Sequence, residues 1–71
     1  MRIFFTVHAH KRMQERGIPR KEIEECIMYP ARISMENEDV RRFQKTFAYG
    51  TIEVVAVLKK NRCIVITVYP L

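Results

Sequence analysis

Residues 51–70, TIEVVAVLKKNRCIVITVYP, decide the fold of this chain because they hold two runs of β-branched residues around a turn. Valine, isoleucine and threonine favour strands, since their branched side chains pack well on a pleated sheet. Lys60-Asn61 separates the two runs, and asparagine tolerates the positive φ that a tight hairpin needs. The stretch therefore predicts an antiparallel hairpin at the centre of a sheet.

The side chains of this hairpin are apolar on both faces of the predicted sheet. In the first strand, strict alternation puts the even-numbered residues of 52–58 on the face opposite Val55 and Val57. In the second strand, it puts Ile64, Ile66 and Val68 opposite Cys63, Val65, Thr67 and Tyr69. Two short helices can cover only one face, so we expect the other face to curl on itself, carry a site or meet a partner.

Two helices are predicted in the first thirty residues. Thr6 is a good N-cap, and Gly17 suits the left-handed residue that follows a last turn, so the first helix spans 7–16. Pro19 suits the start of a second helix, because the N–H that it lacks has no intrahelical partner there. Pro30 stops this second helix.

Two further strands are predicted between the helices and the hairpin. Residues 31–39 predict a short strand running into a turn, and residues 40–50 predict a longer one. Ile3–Phe5 is compatible with either a short strand or a packing flap. We therefore expect one α+β domain over residues 1–71, with an N-terminal helical hairpin packed on a four-stranded twisted antiparallel sheet in the order ααββββ.

The charge balance indicates a polyanion as partner. Thirteen Lys and Arg against eight Asp and Glu give a net charge of +5, which favours RNA or DNA; a basic soluble protein with no such partner is the alternative. No segment approaches the roughly 18 apolar residues of a membrane span. Cys26 and Cys63 lie in apolar patterns that suit reduced, buried thiols. We expect a cytoplasmic protein without a membrane partner.

The first helix carries a row of polar residues, His8, Arg12 and Arg16, along one edge of its apolar stripe. One interpretation is structural, with arginine stems covering the core and charged heads in water. The other is chemical, because an imidazole beside two guanidinium groups suits metal-free phosphodiester cleavage. His10 lies about 200° from His8 around the helix, which disfavours a two-histidine metal site. We expect no metal and no cofactor.

Basic residues elsewhere predict contacts with RNA. Arg41 and Lys45 alternate with two phenylalanines on one strand, which suits phosphate contacts with base stacking; the alternative is that the rings belong to the core. Thr67, a hydroxyl in an apolar strand, is either hydrogen-bonded structurally or directed at a ligand. The hairpin tip is a solvated turn that could track a phosphate backbone. The predicted RNA-binding residues are Arg16, Lys45, Lys59, Lys60 and Arg62.

Three features together resemble the small prokaryotic family called domain of unknown function 4258. They are His8-Ala9-x-x-Arg12-Met13-x-x-Arg16-Gly17-Ile18, an acidic second helix ending near a proline, and the closing strand Ile66-Thr67-Val68-Tyr69. That family is similar to the RelE/ParE-type toxin fold, which is grouped with barnase-like and colicin-like RNases. The resemblance implies an RNA-cleaving site on the sheet, with functional side chains at His8, Arg12, Thr67 and, more loosely, Arg41.

The first functional hypothesis is a toxin-type, metal-independent endoribonuclease that cleaves single-stranded RNA or mRNA. His8 would act as the base that activates the 2′-hydroxyl for attack on the adjacent phosphate. Arg12 and Arg41 would stabilise the pentacovalent anion, and Thr67 would position the phosphate.

The second hypothesis is a non-catalytic interaction module or toxin. Its partner would be an antitoxin protein or a second copy of the chain, bound through the sheet face at Val55, Val57 and Val65.

Overall fold

The computed structural model describes residues 1–71 as two helices on one face of a five-stranded mixed sheet. Its elements are β1 (Arg2–Phe5), α1 (Val7–Arg16), α2 (Arg20–Met28), β2 (Arg32–Met35), β3 (Val40–Phe47), β4 (Gly50–Lys59) and β5 (Arg62–Pro70). The strand order is β1-β5-β4-β3-β2. β1 pairs with β5 in parallel, and every other pair is antiparallel. Neither helix has the length and apolar character needed to cross a lipid bilayer.

The chain is α+β, but the predicted four-stranded antiparallel sheet in the order ααββββ is wrong. The observed order is βααββββ, because Ile3–Phe5 forms a strand and not a flap. The N–H of Arg2 donates to the Asn61 carbonyl at 3.0 Å, and the N–H of Thr6 donates to the Val65 carbonyl at 3.1 Å. These bonds join residues some sixty positions apart along the chain, so no local pattern signals them.

Both ends of α1 are confirmed, because each is determined by a local cap. The Thr6 Oγ1 accepts a hydrogen bond from the Ala9 N–H at 3.0 Å. Gly17 takes a left-handed conformation with φ of 62°, and the Ile18 N–H then reaches the Met13 carbonyl at 3.0 Å. Ile18 is buried beneath this turn, as expected of the apolar residue that follows a left-handed cap.

The core lies between the two helices and the face of the sheet that they cover. β-branched side chains of β4 and β5 meet the apolar stripe of each helix there, which removes them from water. Cys26 and Cys63 are both free and buried in this core. Burial raises the pKa of each thiol to about 11. The fully buried residues of the core are Ala9, Ile23, Cys26, Ile52, Val54, Ala56, Cys63, Val65 and Val68.

A β-bulge in β5 corrects the strict alternation predicted for that strand. Val55 pairs with Thr67 while the next residue of β4, Ala56, pairs with Val65, so Ile66 is left as an extra residue. The extra residue reverses the side-chain direction beyond it. Val68 therefore turns to the helix-covered face and is fully buried. The bulge leaves Ile64, Thr67 and Tyr69 together on the other face, which we call the open face.

Candidate nucleic-acid interface

The predicted row on α1 lies along an unpaired edge of β5. β1 ends at Phe5, opposite Val65, so the later carbonyls of β5 need other donors. The Arg16 Nη1 donates to the Val68 carbonyl at 2.7 Å, which gives this predicted RNA-binding residue a structural bond. Arg12 pairs with Glu15 at 2.6 Å. The hydrogen bond from Arg12 lowers the pKa of the Glu15 carboxyl, against an opposing effect of burial, and the positive charge of Arg12 lowers it further.

The four predicted catalytic residues do not converge on one place. His8 and Arg12 share α1, and the His8 side chain is exposed and makes no hydrogen bond within the protein. Arg41 lies on the helix-covered face, where its Nη1 donates to the carbonyls of Asn37 at 3.2 Å and Glu38 at 2.8 Å. Thr67 lies on the open face, so the sheet separates it from Arg41.

Lys45, another predicted RNA-binding residue, makes a hydrogen bond at the C-terminal end of α2. Its Nζ donates to the Tyr29 carbonyl at 2.8 Å, just beyond the C-terminus of α2. A cation at that position complements both the unpaired carbonyls and the helix dipole. Phe43, one of the two rings near Lys45, is buried in the core, which is the alternative that the strand pattern left open.

A buried carboxylate lies on the open face of the sheet. Glu53 is only 6% exposed, although no helix covers it. It accepts hydrogen bonds from Arg42 Nη1 at 2.8 Å, from Gln44 Nε2 at 2.7 Å and from the Tyr69 hydroxyl. Burial alone would raise the pKa of Glu53, but these bonds lower it below its ordinary value. Arg42 also pairs with Glu36 at 2.6 Å, which extends the cluster.

This cluster changes the interpretation of the predicted partner-binding face. Val65 lies on the helix-covered face and is fully buried, so it cannot contact a partner there. Val55 does belong to the open face, but it is only 7% exposed beside the Glu53 cluster. Of the three predicted interface valines, Val57 alone is partly exposed.

Strand register brings four cations together at one end of the sheet. Lys59 is opposite Arg62 in the β4–β5 pair, and Arg62 is opposite Arg2 in the β5–β1 pair. Lys60 occupies the turn itself with φ of 55°, so the positive φ falls on this residue and not on Asn61. We call Arg2, Lys59, Lys60 and Arg62 the basic end.

The cations of the basic end are free to meet an anion. All four residues are exposed, and none of their side chains hydrogen-bonds or pairs with a carboxylate. The ion pairs of the protein use Arg12, Arg20 and Arg42 instead. Four of the cations that form no ion pair therefore lie together at the β4–β5 turn and the start of β1.

An aromatic ring lies within this positive surface. Phe4 is 38% exposed on the open face. The Cζ atoms of Arg2 and Arg62 lie 5.2 Å and 6.0 Å from the centre of its ring. These distances are within the range of cation–π attraction. Neither Arg2 nor Phe4 was among the predicted site residues. Their side chains join the basic end only because β1 pairs with β5, and the sequence did not predict that pairing.

The arrangement can bind phosphate and base together. Guanidinium and ammonium groups attract the phosphates of a nucleic-acid strand, and an exposed ring offers a surface on which an unstacked base can lie. No three or more His, Cys, Asp or Glu side chains are grouped to hold a metal ion.

Comparison with known proteins finds one family. A family model described as Domain of unknown function (DUF4258) matches residues 5–70, which include His8, Arg12, Thr67 and most of the basic end. Arg2 and Phe4 precede the matched range. No curated protein and no solved structure matches the chain.

Proposed function

We propose that this chain, which belongs to the family described as domain of unknown function 4258, binds single-stranded RNA through its basic end. The observation that carries the proposal is the exposed Phe4 ring, with the Arg2 and Arg62 Cζ atoms 5.2 Å and 6.0 Å from its centre. It shares this end of the sheet with the unpaired Lys59 and Lys60. Phosphate attraction and base stacking are the two interactions that single-strand binding requires. Here four cations and one ring supply both on one surface.

Single strands fit this surface better than duplexes do. A base can stack on Phe4 only if it is not already stacked within a double helix. The basic row of α1 is not free for insertion into a major groove, since Arg12 and Arg16 are bound within the protein. Contacts with phosphate and ring carry little base preference, so we expect weak dependence on RNA sequence.

Metal-independent cleavage of the bound RNA stays a prediction. It requires His8, Arg12, Arg41 and Thr67 to meet one phosphate, whereas Arg41 and Thr67 lie on opposite faces of the sheet. Incubating the protein with single-stranded RNA in EDTA, and analysing the product ends for a cyclic phosphate, tests cleavage separately from binding. The wider kinship with RelE/ParE-type toxins also stays a prediction, and the RNA-binding proposal does not depend on it.

A protein partner on the sheet face has less support. The charged Glu53 cluster occupies the centre of the open face, and burying its outer members in an interface would cost desolvation. Binding of an antitoxin or of a second copy through this face stays a prediction.

The proposal is tested by RNA binding at several salt concentrations. Fluorescence anisotropy of a labelled single-stranded oligonucleotide gives the affinity of the wild type, Lys59→Gln/Lys60→Gln and Phe4→Ala. The slope of log affinity against log salt is negative, and the double variant should reduce its magnitude by about 1.4, since each lost phosphate contact removes about 0.7. Phe4→Ala should weaken binding by about tenfold with an unchanged slope, because stacking is not ionic.

Arg32→Gln is the matched control, since Arg32 is an exposed cation on β2, at the opposite edge of the sheet. Its loss should leave both slope and affinity near those of the wild type. If Arg32→Gln changes the slope by half as much as Lys59→Gln/Lys60→Gln does, the effect per charge removed is equal at the two places. That result would show that only net charge matters, and it rejects the basic end as the site.

A further inference from the structure

We infer that a groove beside β1, formed with His10 and Arg20, binds a phosphate group of a nucleotide. This edge groove follows the free edge of β1 and has a volume of about 470 Å³, within the range of small-molecule sites. Its lining residues are Arg2, Ile3, Phe4, Phe5, His10 and Arg20. The inference rests on the proposed RNA binding and adds to it a second contact point with a defined chemistry.

The Phe5 ring organises the two helical side chains of the groove. The Cζ atom of Arg20, from the first residue of α2, lies 5.0 Å from the centre of that ring. The His10 ring, from α1, lies 5.6 Å from the same centre at an angle of 41°. Three different elements thus place an imidazole and a guanidinium group next to one aromatic ring.

The groove has unused hydrogen-bond donors. Arg20 donates through Nε to Glu24 at 2.8 Å, which leaves Nη1 and Nη2 without an acceptor in the protein. The side chains of Arg2 and His10 make no hydrogen bond within the protein. A guanidinium edge presents two parallel N–H groups that match two phosphate oxygens. Two such groups and an imidazole therefore line one depression, and no carboxylate is among its lining residues.

The imidazole with two neighbouring guanidinium groups that was predicted at His8 is found at His10 instead. His8, Arg12 and Arg16 form a row along α1, but both arginines bind acceptors through Nη1. In the groove, Arg2 has no acceptor and Arg20 uses only its Nε. His10 is joined to Arg2 and Arg20 by the fold alone, because those arginines come from β1 and α2. The sequence of α1 alone could not predict this, because the residues three and four positions after His10 are not basic.

The edge groove is continuous with the basic end. Arg2 and Phe4 line the groove and also flank the surface that includes Arg62. A strand with one base on Phe4 would place a neighbouring phosphate beside Arg2 and then in the groove. Either an internal phosphodiester or a terminal phosphate could occupy it, since both offer the same anionic oxygens.

Proton NMR of the imidazole rings tests the groove directly, because the chain has two histidines. The rings are assigned with His8→Gln, and uridine monophosphate is then titrated into the full-length wild type. We expect the His10 ring signals to shift to saturation while the His8 signals stay still. Arg20→Gln should weaken this titration by about tenfold, whereas Lys21→Gln, an exposed neighbour outside the groove, should not.

The same measurement with a short RNA, bearing either a 5′-phosphate or a 5′-hydroxyl, identifies the source of the phosphate. Tighter binding of the phosphorylated RNA assigns a terminal phosphate to the groove, and equal binding with a shifted His10 assigns an internal one. Both results support the inference.

Three results separate the two proposals. If RNA shifts the amides of residues 59–62 but leaves His10 still, the groove is rejected and binding at the basic end stands. If the nucleotide shifts His10 but Lys59→Gln/Lys60→Gln binds RNA like the wild type, the groove stands and the basic end is rejected. If neither ligand shifts any signal, both proposals are wrong.

Discussion

Replacing Thr6 with alanine should destabilise the joint between α1 and the sheet. The Thr6 Oγ1 accepts the Ala9 N–H at 3.0 Å as the N-cap of α1, and its hydroxyl donates to the Ile66 carbonyl at 3.2 Å. One hydroxyl group therefore caps the start of α1 and also donates a hydrogen bond to Ile66, the bulged residue of β5.

The magnitude follows from these two bonds. Loss of a threonine N-cap costs about 1 kcal/mol. Loss of the donor to a partly buried carbonyl costs about 1 kcal/mol more. The free energy of unfolding should thus fall by about 2 kcal/mol, which lowers Tm by roughly 8–16 °C in a chain of this size.

Urea denaturation followed by circular dichroism measures the free energy of unfolding, and a thermal scan gives Tm. Thr6→Ser is the matched control, because serine keeps the oxygen and loses only a methyl group. It should stay much closer to the wild type than Thr6→Ala does. A Thr6→Ala variant as stable as the wild type, or a Thr6→Ser variant as unstable as Thr6→Ala, would refute the assignment of stability to this oxygen.

Two other predictions concern the Glu53 cluster and the end of α1. The folded pKa of Glu53 lies below its ordinary value of 4.5, so its contribution to stability is complete above pH 4.5 and is lost as the pH falls through the lowered pKa. Glu53→Gln should therefore flatten the decline of urea stability in acid, and an unchanged acid slope would contradict this. Gly17→Ala should cost about 1 kcal/mol in urea denaturation, because φ of 62° strains an L-residue although a Cβ there meets no atom. Gly17→Asn should cost less, since asparagine tolerates that conformation, and equal losses would point to another cause.

Local features of the sequence were enough for several elements. Thr6 and Gly17 bound α1 because each cap acts on residues within one turn. The β4–β5 hairpin follows from two β-branched runs and a two-residue turn, and it places Lys59 next to Arg62 without further information. These parts could be predicted because the interactions that determine them join near neighbours in the chain.

Non-local contacts decided the rest of the fold. β1 joins the sheet by pairing with β5, some sixty residues away, and the sequence of Ile3–Phe5 does not indicate which strand it pairs with. The bulge at Ile66 breaks an alternation that the sequence shows as unbroken, because a bulge depends on the registers of the strands beside it. One extra residue is enough to send Val68 into the core and to leave Thr67 on the open face.

The candidate site divides in the same way. The sequence by itself determined the net positive charge and the basic hairpin tip, since composition and a tight turn need no tertiary contact. Only the tertiary structure decided that Arg2 and Phe4 lie beside that tip. It also placed His10, and not His8, in a groove with the unpaired guanidinium of Arg2 and with Arg20, whose Nη1 and Nη2 have no acceptor. The physical reason is that periodicity predicts the directions of side chains around the axis of one helix or strand. A binding site depends also on which other elements pack next to that helix or strand.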